Sequence, residues 1–318
     1  ITVGGTGKTP HTELLISILQ NKYRVAVLSR GYMRSSNGFV LATELSTSRE
    51  IGDEPYQIKQ KFPNIIVAVD TDRRRGIRKL MALESAPEVI LLDDAFQHRY
   101  VKPSLTILLS NYNRPMYFDK LLPAGRLREP ISYAGKANMI IVSKCPTDLK
   151  PIDYRIISHD VNPYPFQDLF FTSFTYKNLK PVFGDKSDNI GLHSLKGKHI
   201  LLVTGIASPA MIEKKLKEYT TKVDVMAYPD HHNFGPKDIK DIESKFEAIT
   251  TENKLIIVTE KDATRLILRK DISDTVKTSM YYLPIEVSFD DDENKEQFKN
   301  KILEHVRENT RNRRIHKK

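Results

Sequence analysis

An α/β fold is predicted for this 318-residue chain: a mostly parallel sheet flanked by helices, then a second, smaller α/β region. Three observations predict it. Short continuous apolar runs, such as Val89–Leu92 and Ile200–Val203, have the length of strands buried on both faces. They alternate with segments of helical spacing, as parallel strands joined by crossover helices require. The alternation also occurs in two series, which predicts a core domain over 1–150, an irregular strand-rich connection over 151–190 and a second α/β domain over 191–318.

The elements follow in order. Pro10–Gln20 reads as a helix because Leu14, Leu15, Ile18 and Leu19 recur at helical spacing. Arg24–Leu28 is the next strand, followed by a loop to Gly38. Asp53 opens a helix through Lys61, with Pro55 tolerated in its first turn. Ile65–Val69 is a strand, Arg73–Glu84 a helix and Val89–Leu92 a strand. Two prolines and Gly125 break the rhythm around Pro123–Pro130. Ile140–Val142 resumes as a strand. Beyond residue 190 come strand Ile200–Thr204, helix Met211–Tyr219, strand Val223–Ala227, helix Pro236–Ile249 and strand Leu255–Thr259. Tyr281–Val287 reads as one last strand and Glu293–Asn309 as a last helix.

Composition narrows the function. Forty per cent apolar and 28% charged residues exclude a wholly disordered chain. No run approaches the ~18 apolar residues of a membrane-spanning helix. The single cysteine, Cys145, excludes an internal disulfide framework and a multi-thiolate metal site, and accords with a reducing cytoplasm. A net charge of +10 favours an anionic partner: nucleic acid, nucleotide, phospholipid surface or phosphorylated substrate.

Thr2-Val3-Gly4-Gly5-Thr6-Gly7-Lys8-Thr9 has the form of a P-loop. Its glycines let the backbone curl so that N–H groups meet phosphate oxygens, and the helix that follows adds positive partial charge. Lys8 is placed to bridge the β- and γ-phosphates and Thr9 to ligate Mg²⁺. Thr2 stands where the strict pattern has glycine. Only Ile1–Val3 remains of the strand that normally precedes such a loop, so a preceding segment is expected. Asp93-Asp94 closes strand Val89–Leu92, where a P-loop site places the carboxylates that hold Mg²⁺; a solvated acidic turn is the other reading.

Three further groups carry chemistry. Asp53, in Gly52-Asp53-Glu54-Pro55, is explained by an acidic helix start, and equally suits a general base for a hydroxyl. Asp230-His231-His232 follows a strand end, where a carboxylate can orient an imidazole for proton transfer; a polar loop cluster is the alternative. Arg73, Arg74 and Arg75 after one strand, and Arg126 and Arg128 beside Gly125, suit bidentate pairing with phosphates, or simple solvation.

In this order, these pieces resemble the tetraacyldisaccharide 4′-kinases of lipid A biosynthesis. The resemblance spans nearly the whole chain. It rests on the P-loop through Pro10, Ser29-Arg30-Gly31-Tyr32, Gly52-Asp53-Glu54-Pro55 and Leu92-Asp93-Asp94-Ala95-Phe96-Gln97-His98. Further carriers are Leu122-Pro123-Ala124-Gly125-Arg126-Leu127-Arg128-Glu129-Pro130, Asp230-His231-His232 and Thr259-Glu260-Lys261-Asp262. Ala95 departs from an expected glycine. The resemblance implies transfer of the ATP γ-phosphoryl group to the 4′-hydroxyl of a tetraacyldisaccharide 1-phosphate, with Mg²⁺, in contact with the cytoplasmic face of the inner membrane. It implies Lys8 and Thr2–Thr9 at the phosphates, and Thr9, Asp93 and Asp94 at Mg²⁺. Asp53 is then the catalytic base, His231 its partner, with His232 the alternative, and Arg73 and Arg126 lie near substrate phosphates. A base in the first region and its histidine in the second imply a site between the domains.

The rivals are weaker. A partition-type switch ATPase carries a second lysine where this chain has Val3. Guanine recognition fails at Ser143-Lys144-Cys145-Pro146 and at Thr259-Glu260-Lys261-Asp262, which lack the required spacing. No nucleic-acid-binding motif stands out. A kinase for another small molecule is the nearest competitor.

Overall fold

Apolar strands capped by polar residues at their C-terminal ends organise both halves of the chain. The computed structural model describes residues 5–98, 100–184, 188–206 and 209–315, with side chains through 310. Thr2, Val3 and Gly4 of the loop, and the strand remnant before it, lie outside these residues. In order, the elements are α1 (Lys8–Leu19), β1 (Val25–Ser29), β2 (Val40–Leu41), α2 (Ser48–Ile51), α3 (Asp53–Lys61), β3 (Ile66–Val69), α4 (Arg73–Met81) and β4 (Val89–Leu92). Then come β5 (Ile107–Asn111), β6 (Met139–Ser143), α5 (Pro151–Val161), β7 (Asp168–Tyr176), β8 (Lys180–Pro181), β9 (His199–Thr204), α6 (Ala210–Lys217) and β10 (Val223–Ala227). The last are α7 (Pro236–Glu247), β11 (Lys254–Thr259), α8 (Glu260–Leu266), α9 (Asp274–Thr278), β12 (Met280–Leu283), β13 (Ile285–Phe289) and α10 (Asp292–Ile315).

The chain forms two compact units: Ile1–Thr175 together with Glu286–Lys318, and Tyr176–Ile285. The first holds two four-stranded sheets, ordered β2-β3-β1-β4 and β13-β7-β6-β5. In the former, β1 pairs parallel with β3 and β4, so Val27 lies opposite both Val67 and Leu91. Only the short β2 runs antiparallel, on the outer side of β3. In the latter, β6 pairs parallel with β5 and β7. The second unit holds a sheet ordered β10-β9-β11-β12-β8, parallel except for the two-residue β8. Strands β1, β6, β9 and β11 carry almost unbroken burial, because helices cover both sheet faces.

These units differ from the expected boundaries at 150 and 190, and the reason lies at Pro284. The apolar run Tyr281–Val287, expected as one strand, is two. β12 belongs to the second unit's sheet and β13 to the first unit's. Proline lacks the N–H that would continue a ladder, and the Pro284 carbonyl instead accepts the Lys177 N–H at 3.0 Å. Helix α10 follows β13 into the first unit. Its Phe298 and Ile302 are buried in one cluster with Ile16, Leu19, Val27 and Val67, and Phe298 meets Phe170 edge-on at 5.2 Å. Elements β5, α5 and α8 were not among those expected. The strand Val89–Leu92 and the helix Asp53–Lys61 have the expected bounds.

Candidate active site

The loop before α1 is shaped by glycines and pinned from the sheet. Gly5 and Gly7 both adopt left-handed φ, +73° and +81°. At Gly7 a β-carbon would also sit 2.6 Å from the Phe174 ring, so no side chain fits there. The loop carbonyls are held by side chains: Gly5 by Asn111 Nδ2 at 3.1 Å, Thr6 by Ser143 Oγ at 2.8 Å and Gly7 by His11 Nδ1 at 2.8 Å. Asn111 and Ser143 are the last residues of β5 and β6, so the sheet edge sets the loop. His11 also meets Thr172 Oγ1 at 3.0 Å, and its burial pulls its pKa down to about 4, against the raising effect of the Gly7 carbonyl.

Next to the loop, the strand end of β4 concentrates charge. Lys8 Nζ lies 3.6 Å from Asp94. Arg128 grips the same carboxylate with two bonds, 3.2 and 2.7 Å. Burial would raise the Asp94 pKa, but the Arg128 bond and the charges of Lys8 and Arg128 outweigh it and hold it below the usual range. Asp94 takes a left-handed φ of +45°, a conformation aspartate tolerates, so Asp93 and Asp94 diverge. Asp93 is buried and pushed up to about 6, by desolvation first and then by the negative neighbours Asp94 and Glu54, against Lys8 and Arg73. Among the described residues no cluster of three or more His, Cys, Asp or Glu is suited to a metal. Mg²⁺ needs less than that, because it keeps waters and phosphate oxygens in its shell. The Thr9 hydroxyl and two carboxylates are hard oxygen donors of the right kind, and a divalent cation would favour the ionised form of the buried Asp93.

Arg73 has a different place from the one its residue type suggested. It is only 3% exposed. Its Nη atoms donate to the carbonyls of Asp70 at 2.6 Å and Asp93 at 2.9 Å, bracing the strand end from within. Its buried Nε has no partner among the described residues. Arg126 is exposed, and its backbone N–H donates to Asp119 at 3.1 Å. Asp53 occupies the first turn of α3, after Gly52 at φ +94°. A β-carbon on Gly52 would meet Gly31 Cα at 3.3 Å, and one on Gly31 would meet the Ile51 carbonyl at 3.0 Å. Thus the Ser29–Tyr32 and Gly52–Pro55 motifs need glycine because they press on each other.

In the second unit, Asp230-His231-His232 follows β10 and is held by α8. His231 sits at φ +61°; its N–H donates to Asp230 Oδ1 at 3.0 Å and its Nε2 lies 3.0 Å from Lys261 Nζ. His232 is engaged otherwise: Nε2 meets Asp238 at 2.9 Å and the ring stacks on Tyr228 at 4.6 Å. Glu54 and Lys261 were not among the residues singled out for function, and Arg128, read with Arg126 as a phosphate-pairing arginine, is turned onto the Asp94 carboxylate. These residues lie inside or beside motifs legible in the sequence, but only folding shows which charges they face.

A P-loop at a helix start, with paired aspartates at the end of a parallel strand, defines a nucleotide-binding protein of the P-loop class. The particular family follows from comparison with known proteins. The family model for tetraacyldisaccharide-1-P 4′-kinase (LpxK) matches residues 1–306. The tetraacyldisaccharide 4′-kinase of Bacteroides thetaiotaomicron is 52% identical over 98% of this chain and 84% of its own length. That of Parabacteroides distasonis is 52% identical over 96% of this chain and 84% of its own. A crystal structure of LpxK from Aquifex aeolicus in complex with ATP superposes with a TM-score of 0.70 at 26% identity, covering 96% of this chain and 86% of that one. The chain belongs to the tetraacyldisaccharide-1-P 4′-kinase family, ATP-dependent kinases of lipid A biosynthesis.

Proposed function

We propose that this chain transfers the γ-phosphoryl group of ATP to the 4′-hydroxyl of a tetraacyldisaccharide 1-phosphate. The observation that carries the reading is the charge arrangement at the end of β4: Lys8 and Arg128 on Asp94, with the buried Asp93 beside it. Phosphoryl transfer depends mainly on positioning and charge neutralisation. Lys8 and the loop amides bind and orient the phosphates. Thr9, Asp93 and Asp94 would hold Mg²⁺, which would supply positive charge to the transferring phosphates. Asp53 accepts the proton of the sugar hydroxyl, and His231 serves as the proton-handling imidazole that supports it. Arg126, being exposed, is available to a substrate phosphate; Arg73 acts from within, bracing the carbonyls of Asp70 and Asp93.

The acceptor is a lipid, and we place the enzyme peripherally on the cytoplasmic face of the inner membrane. Support comes from the net charge of +10 and from a loop that exposes Phe118, Leu121 and Leu122 beside Lys120 and Arg126. No described helix is long and apolar enough to cross a membrane. The test incubates protein, Mg²⁺ and γ-labelled ATP with the disaccharide 1-phosphate, and with nucleosides and small sugars as competing acceptors. Label moves to the lipid alone; preferential labelling of a small sugar or nucleoside would assign the chain to another kinase activity.

A further inference from the structure

The Thr259-Glu260-Lys261-Asp262 motif remains without a function in the account above. It is the start of α8, directly after β11. Thr259 caps the helix, accepting from the Asp262 N–H at 3.1 Å and donating its hydroxyl to the Asp262 carboxylate at 2.6 Å. Asp262 is fully buried, and its Oδ2 also accepts the Gly205 N–H at 3.0 Å. Arg265 bonds Asp262 at 3.3 Å and the His232 carbonyl at 3.1 Å. The His231 N–H, at 3.3 Å from the Gly205 carbonyl, completes the circuit. One turn of α8 therefore fixes the backbone that carries the two histidines, from both sides.

Lys261, on that same turn, reaches the ring. Its Nζ lies 3.0 Å from His231 Nε2 and 3.9 Å from Asp230 Oδ1. Asp230 Oδ2 stands farther from the ring, 4.0 Å from Nε2. An ammonium only donates, so Nε2 must supply a lone pair, and the ring proton is then on Nδ1. We propose that Lys261 is a positioning residue for the reaction: it selects the Nδ1–H tautomer of His231 and fixes its ring plane, while Asp262 fixes its backbone. The carboxylate of Asp230 accepts the His231 N–H and lies about equally far from the lysine and from the ring, so the short contact to Nε2 is the lysine's. The inference rests on the reading that His231 takes part in phosphoryl transfer.

The test is ¹⁵N-histidine NMR with steady-state kinetics on the whole chain. The His231 signals are assigned by their loss in His231→Ala. In the unmodified protein they carry the Nδ1–H pattern. Lys261→Met is expected to bring in the Nε2–H pattern and lower kcat by roughly 10–10²-fold, as loss of an orienting partner does, with KM for ATP unchanged. Lys261→Arg, which still donates, restores both. Lys261→Met that keeps the Nδ1–H pattern, or keeps kcat while His231→Ala abolishes turnover, overturns the proposal and leaves the role of His231 standing. Near-normal turnover in His231→Ala removes the underlying reading, and the inference with it. Should Lys261→Met unfold, the Nε2–H pattern in Lys261→Arg overturns the proposal by itself.

Discussion

Two clusters of charge, one in each unit, sit at the C-terminal ends of parallel strands, yet they are built on opposite principles. In the first unit, Asp93 is buried beside Asp94 and stays raised despite Lys8 and Arg73, while Lys8 and Arg128 hold the partly exposed Asp94 low. In the second unit, Asp262, Thr259, Arg265 and Lys261 answer one another and hold His231 in a single pose. The difference teaches what each asks of its ligand. A buried carboxylate beside a second one suits a divalent cation, while Lys8 and the loop amides suit the polyphosphate that would accompany it. A satisfied network suits a proton-transfer residue whose orientation must already be set. Both use the C-terminal strand edge, where open α/β sheets gather their chemistry.

The largest expected effects break one cluster outright. Asp53→Ala and His231→Ala should each cut kcat by roughly 10²–10⁴, the usual worth of general acid–base catalysis, with circular dichroism unchanged. Turnover near that of the unmodified chain in both variants would remove those roles. Next, Lys8→Ala should lower kcat by roughly 10²–10³, since it removes a preorganised charge from the transferring group. Loss of ATP affinity without loss of kcat would confine Lys8 to binding. Arg128→Ala is expected to be milder, about tenfold in kcat/KM, because the Arg128–Asp94 pair is partly exposed. An effect as large as that of Lys8→Ala would show that Arg128 itself acts on the phosphates.

Smaller effects sharpen the comparison through stability. His11, buried under the P-loop, has its pKa lowered from 6.5 to about 4. The unfolded chain therefore binds its proton first, so this contribution to stability is complete above about pH 6.5 and is lost as pH falls toward 4. Between pH 7 and pH 5 the loss from this group is about 2 kcal/mol. Urea unfolding of the protein and of His11→Gln at both pH values measures it: the variant should lose less stability on acidification by that amount. Equal losses would mean the ring takes up its proton without cost. Finally, burial pushes the Cys145 thiol up to about 12. Maleimide should leave it unmodified in the native protein and label it promptly in urea; prompt native labelling would show an opening at the end of β6.

In the first unit the sequence marks both the candidate residues and the elements that carry them; in the second it marks Asp230-His231-His232 but not the partners that hold them. A glycine loop before an amphipathic helix and an Asp pair closing Val89–Leu92 are contiguous signals, because local sequence carries both the element and its end. The Lys261–His231 contact joins residues 30 positions apart, and nothing in either motif states that they meet. Arg73 illustrates the converse: three consecutive arginines read as a phosphate patch, whereas the first turns inward to two carbonyls. The exchange of β13 and α10 into the first unit was hidden for a similar reason. Periodicity identifies Tyr281–Val287 as strand but carries no information about which sheet it joins, and only the break at Pro284 marks the change.

Single-turnover transfer of labelled γ-phosphate to the tetraacyldisaccharide 1-phosphate by Asp53→Asn, with ATP affinity measured on the same sample, tests the central assignment most directly. The account predicts unchanged ATP binding with transfer slowed at least ~10²-fold. Transfer at the rate of the unmodified chain would contradict it.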